Sequence, residues 1–172
     1  MRAASAYTVS NHRALNLGAT LGLNSLLKQT LGRNVSAPDA TYTNFAADKV
    51  TSAGVTAAYK VGIVTPHAMY TQIKPEARGA KATQRNLEAG ADIGIGASNA
   101  LGLSLASSRL EGVRCNQINL LDIVKLSPRS TLNAAAALQR ASGEGVHAVI
   151  NSAAPAFGQC QRVLRVGVHH HF

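Results

Sequence analysis

Gly90 to Ala106, GADIGIGASNALGLSLA, places Gly90, Gly94, Ser98, Gly102 and Ala106 at intervals of four residues. On an α-helix that interval lines one side with nothing larger than a hydroxymethyl, the face through which helices pack closely in lipid. Ile93, Leu101, Leu103 and Leu105 fill much of the remaining circumference. The uncharged run from Ile93 to Ser108 is 16 residues, with Glu88 and Asp92 before it and Asn99 inside it. A helical span needs about 20 apolar residues, so this one is short.

Working outward, the same spacing recurs. Asn44 to Val64 reads as a helix ending before Pro66, with Gly54, Ala58 and Gly62 four apart and Lys49 and Lys60 interrupting its apolar surface. Lys60 lies close enough to the end to snorkel. Leu132 to Leu138 is almost pure alanine, and Gly145 to Gln161 carries Ala148, Ser152 and Ala156 in the same rhythm, with Pro155 predicting a bend. The island INLLDIV at 118–124 is too short to span and reads as a helix lying along an interface. These readings predict an all-α fold: a membrane-embedded bundle of three to four small-residue-rich helices over 44–162. A basic arm at 1–43 precedes it and a His-rich tail at 163–172 follows. The helix-packing residues are Gly54, Ala58, Gly62, Gly90, Gly94, Ser98, Gly102 and Ala106.

Composition agrees with a chain that leans on neighbours. Of 172 residues 46% are hydrophobic but only 4% aromatic, with no Trp, so large side chains for a water-excluding core are scarce. Seventeen Lys and Arg against eight Asp and Glu give a net charge of +9, which favours a polyanionic partner, RNA or anionic lipid headgroups. The first acid is Asp39. Before it come Arg2, His12, Arg13, Lys28 and Arg33, with Leu23, Leu27 and Leu31 at helical spacing, the make-up of a retained basic arm. Asn34-Val35-Ser36 fits a glycosylation acceptor without any secretory signal to support it, and the stretch around Pro38 reads as a linker. Two basic connections, Lys74 to Arg85 and Arg109 to Arg129, are expected to contact anionic phospholipid or a partner through Lys74, Arg78, Lys81, Arg85, Arg109 and Arg114.

Catalytic signatures are missing from the chain. No G-x-S-x-G elbow fixes a nucleophile, and Gly94-x-Gly96 lacks both the Lys of a phosphate loop and the third glycine of a dinucleotide fingerprint. His169, His170 and His171 are adjacent in a tail and do not read as one metal site, while His147 reads as a hydrogen-bonded buried side chain. Cys115 and Cys160 lack CxxC spacing and read as two unrelated thiols. The expectation is a protein that is not an enzyme and holds no metal or cofactor.

TSAGVTAAYKV at 51–61, the Gly90 to Ala106 repeat, and LNAAAALQRASGEGVHAVINSAAPAFG at 132–158 together resemble the four-helix mitochondrial inner-membrane family that includes the import translocases. The similarity is greatest to its accessory member in the membrane arm of respiratory complex I. It implies a structural subunit of a mitochondrial inner-membrane complex, its helices packed on other subunits and its loops on anionic phospholipid. A mean hydropathy of +0.03 is low for that family. A lineage-specific mitochondrial ribosomal protein, binding rRNA through the basic arm and loops, is the alternative, with nucleic acid as partner in that case only. A coat protein of stacked identical subunits is a third.

Overall fold

The computed structural model describes residues 1–15, 45–77, 79–110, 112–143, 146–150, 153 and 156–171. Among them there is no helix. The chain forms strands β1 (Arg2–Leu15), β2 (Phe45–Ala58), β3 (Val64–Ala77), β4 (Ala80–Lys81), β5 (Gln84–Ile95), β6 (Asn99–Leu110), β7 (Val113–Ser127), β8 (Ser130–Ser142) and β9 (Cys160–His170). Eight of these run as one antiparallel path, β1-β2-β3-β5-β6-β7-β8-β9, and the short β4 pairs with β3 beside it.

The all-α bundle is therefore corrected to an antiparallel meander, and the reason lies in the opening repeat. Four is twice the two-residue period of a strand, so residues four apart share a face of a strand as surely as a side of a helix. Gly90 and Gly94 stand on β5, Gly102 and Ala106 on β6, and Ser98 in the turn between. Gly54 and Ala58 are on β2, and Gly62 is in the β2–β3 turn. Among the described residues no helix exists for these eight to pack. INLLDIV lies inside β7 and the alanine run inside β8. The strands alternate where a helix would not: Leu101, Leu103 and Leu105 on β6 point one way, Gly102, Ser104 and Ala106 the other.

Turn chemistry separates the two rims of the sheet. At one rim the connections are short: 59–63, 96–98 and 128–129. Val61 and Val64 exchange backbone hydrogen bonds of 2.7 and 3.0 Å around Gly62 and Ile63, and Gly62 takes φ of +59° as the first residue of that two-residue turn. At the other rim 16–44 and 143–159 are long, 78–83 holds β4, and only 111–112 is tight. The long rim contains the one well-buried cluster among the described residues: Ala82, Leu110, Val113, Cys115 and Ala141 with Val146 and Ala148 from the β8–β9 connection.

The expected Leu23-Leu27-Leu31 stripe, the glycosylation match, the Pro38 linker, and Arg78, Ser152 and Pro155 lie outside the described residues. At the ends of the chain, Arg2–Leu15 and Cys160–His170 are the two edge strands.

Candidate functional site

Register sorts the side chains of all eight strands onto two faces. Leu87 on β5 stands opposite Tyr70 on β3 and Ser107 on β6; Tyr70 opposite Val55; Asn116 opposite Ser107 and Arg140. Following this face gives Tyr7, Val9, Val55, Tyr70, Leu87, Ile93, Leu103, Leu105, Ile118, Leu120, Leu138, Leu164, Val166 and Val168. Nearly all of these are open to the surroundings, Leu105 at 58% and Leu164 at 78% of full exposure. Contiguous apolar surface on this scale marks a surface that meets something other than water.

The opposite face carries Thr71, Gln84, Asn86, Glu88, Asp92, Ser104, Gln117, Asn119, Asn133, Gln139 and Arg165. Its polar groups satisfy one another along and across strands. Gln139 donates to Gln117, Gln117 to Asn119 and Asn119 to the Ser104 hydroxyl; Gln84 donates to Asn86, and Asn86 to Thr71. The β8–β9 connection lies over this face, where the Val149 N–H donates to Gln139 Oε1 and the Ile150 N–H to Gln161 Oε1. Small residues make room here. A Cβ on Gly90 would sit 2.5 Å from the Leu103 carbonyl oxygen and 2.6 Å from His67 Nε2, and His67 in turn faces Asp92 at 3.7 Å. Glu88 and Asp92, which would burden a membrane helix, thus belong to the polar face.

The basic residues expected to bind lipid or a partner separate in the structure. Arg85 pairs across strands with Arg109, and Arg109 with Arg114, all three exposed on the apolar face beside the long-connection rim. Lys74 is on the same face of β3. Lys81 instead forms an ion pair with Glu76 at 3.3 Å, and Arg78 is not described. The sequence reading left out Arg140 and Arg162, which continue the row on β8 and β9, and the amide ladder of the polar face. The signal for both was a period of two, applied strand by strand.

Cys115 is buried on the polar face and Cys160 exposed on the other, and the two form no disulfide with each other. His169 and His171 touch edge to face at 4.4 Å, while His170 Nδ1 shares a hydrogen bond with the Ser130 hydroxyl. His147 is exposed rather than buried.

No protein-family model matches this chain, and no curated protein does. Among solved structures it is similar to OmpT, an outer membrane protein of Vibrio cholerae folded in vitro and seen in its trimer form. Identity is 11% and the TM-score 0.60, over 96% of this chain and 49% of that one. The likeness is one of fold, and the chain spans about half the length of that protein. It overturns the resemblance to the four-helix mitochondrial family, and with it the complex I subunit and the ribosomal alternative: among the described residues the chain is a meander of strands with no helix to match that family. The fold is one also found in an outer membrane protein, while nothing supports the mitochondrial inner membrane.

Proposed function

We propose that the chain forms wall of a transmembrane β-barrel of the outer-membrane kind, its apolar face toward lipid and its polar face lining a water-filled passage for small polar solutes. The observation that carries this reading is the gathering of most of the large unburied apolar side chains on one face of the meander, with Met69, Ile73, Leu121, Ile123 and Val163 the exceptions on the other. In lipid every backbone group has to be paired, so the strand is a permissible spanning element only in a closed barrel. Strands of 11 to 15 residues fit that role, since about 9–11 tilted residues cross the hydrocarbon. Among the described residues β1 pairs only with β2 and β9 only with β8, so closure calls for these two edges to be paired. With an even number of strands in the path, β1 and β9 run in opposite directions, the polarity an antiparallel barrel needs where it closes.

The polar face supports a conduit rather than a catalyst: it presents amides, hydroxyls and a few charges held in mutual hydrogen bonds. The test is a cysteine scan along β6 in a chain lacking Cys115 and Cys160, folded into phospholipid vesicles and spin-labelled at one position at a time. Labels at positions 101, 103 and 105 should be relaxed by oxygen, which concentrates in lipid. Those at 102, 104 and 106 should respond to a water-soluble nickel chelate. Equal access of the chelate to both sets would overturn the reading. Swelling of the same vesicles in small sugars then tests passage.

A further inference from the structure

We infer that the basic residues on the apolar face form a collar that binds the phosphates of anionic lipid headgroups in the leaflet on the long-connection side. The inference rests on the membrane reading above. It adds a ligand class, a depth and a set of residues.

The collar becomes visible when the register is followed across strands. Arg85, Arg109 and Arg114 are direct cross-strand partners. Arg140 stands opposite Asn116, one same-face step further from the rim than Arg114, and Arg162 stands opposite Leu138, one step further again. In the other direction Arg85 stands opposite Gln72, and Lys74 lies one step nearer the rim. From β3 to β9 the row thus slides six residues along the strands over five strand-to-strand steps. In a barrel whose strands tilt by 35–45° and lie about 4.8 Å apart, a line of constant depth shifts by about 1–1.4 residues per strand. The observed slide is the one that keeps six cations level.

Their depth is set from the opposite rim. Ten residues separate Lys74 from Val64, Arg85 from Ile95, Arg109 from Asn99 and Arg140 from Ser130, each of the latter being the strand's end at the short turns. At about 3.4 Å per residue and that tilt, ten residues rise about 25 Å, the height of a barrel's apolar band. The collar therefore sits one hydrocarbon thickness above the short-turn interface. The residues directly below it, toward the turns, are Tyr70, Leu87, Leu105, Ile118, Leu138 and Leu164, with Gln72, Ser107 and Asn116 as a thin polar transition.

Charge argues for an anion at that level. Like charges directly opposite on neighbouring strands destabilise a sheet, yet Arg85, Arg109 and Arg114 are aligned side by side. Among the described residues the carboxylates on this face are Glu76, engaged with Lys81, and Asp122, eight residues further along β7 from Arg114. The three arginines line one polar surface concavity with Thr83 and Ser142. Guanidinium groups bind phosphate oxygens in a bidentate fashion, and five of the six cations are Arg. A headgroup phosphate is the anion whose own chains cover the apolar band beneath.

The test uses the full chain folded into phosphatidylcholine vesicles carrying a trace of chain-spin-labelled lipid, either phosphatidylglycerol or phosphatidylcholine. The motionally restricted component measures lipid at the protein surface. Phosphatidylglycerol should be preferred over phosphatidylcholine by about threefold to fivefold at low salt, since each Lys or Arg at the surface attracts an anionic lipid by about that factor. In 1 M salt the preference should fall toward unity. The triple variant R85Q/R109Q/R114Q should show the restricted component with most of the preference lost. A restricted component without preference in the wild-type chain, or an undiminished preference in the variant, overturns the collar and leaves the barrel wall standing. Absence of any restricted component overturns both. The salt titration of the wild-type chain decides the matter even if the variant fails to fold.

Discussion

Gly90 stands on the polar face with three atoms closing on the space above its Cα: the Leu103 carbonyl oxygen, His67 Nε2 and Ser104 Cβ. Two of the three belong to the adjoining strand, so a methyl group here has to push backbone rather than swing a side chain aside. Gly90→Ala should therefore destabilise the folded sheet by about 1–3 kcal/mol, the usual penalty of overpacking. Gly94, four residues on, has only the Ile63 carbonyl oxygen within reach, at 3.7 Å. Gly94→Ala should be within about 0.5 kcal/mol of neutral, because a Cβ there makes ordinary contact. Urea unfolding of both variants in vesicles checks the pair; equal midpoints would show that the polar face is looser than its register requires. Gln139 offers a second test at this scale. It is buried, accepts the Val149 N–H at 2.6 Å and donates to Gln117 at 3.0 Å. Gln139→Leu should orphan that buried N–H at a cost of about 1–3 kcal/mol and speed hydrogen exchange at Val149, with exchange in mid-β5 unchanged.

For the strands, the consequence of two-faced sorting is a sharp contrast between adjacent positions. Leu103 lies on the apolar face, six residues below the collar position Arg109, and Ser104 lies beside it on the polar face. Leu103→Arg places a charge near the middle of the hydrocarbon and should cost about 2–4 kcal/mol, while Ser104→Arg should cost less than about 1 kcal/mol and alter ion selectivity instead. Folding yield in vesicles and single-channel reversal potentials measure the two effects. This contrast also explains what the sequence made legible. Of the small residues from Gly90 to Ala106, Gly90, Gly94, Gly102 and Ala106 fall on one face of two strands and Ser98 in the turn between them. The juxtaposition of Arg85, Arg109 and Arg114 comes from strand pairing that the charge pattern did not indicate. What four-residue spacing could not convey was the period beneath it, because 4 is a near-multiple of the helical repeat and an even multiple of the strand repeat. Ile93, Ile95, Leu101, Leu103 and Leu105, every second residue on either side of Gly96-Ala97-Ser98, carried the deciding signal. Alanine obscured the same alternation in β8, where Ala134, Ala135, Ala136 and Ala137 occupy both faces with one side chain.

Over the whole molecule, rim, collar and apolar band define one length, and that length makes a prediction about the membrane rather than about any residue. From the short-turn ends of β3, β5, β6 and β8 to the cations above them is ten residues, about 25 Å once tilt is included. A bilayer whose hydrocarbon matches that height lets the collar meet phosphates while the turns Gly62-Ile63 and Pro128-Arg129 stay in water on the far side. In a bilayer of about 32–33 Å, Arg85, Arg109 and Arg114 would be drawn into hydrocarbon or the short turns would be, and thinning the lipid to prevent this costs fractions of a kcal/mol per Å. Tilting offers no relief, since strand tilt in a closed barrel is fixed by strand number and stagger. The urea midpoint of the chain in vesicles should therefore be highest near 25 Å and fall steadily across a series of phosphatidylcholines of increasing chain length. R85Q/R109Q/R114Q should flatten that dependence, because uncharged amides are cheaper to submerge than guanidinium groups. A wild-type midpoint that does not vary with thickness would mean that the apolar face does not span the bilayer, whatever else covers it.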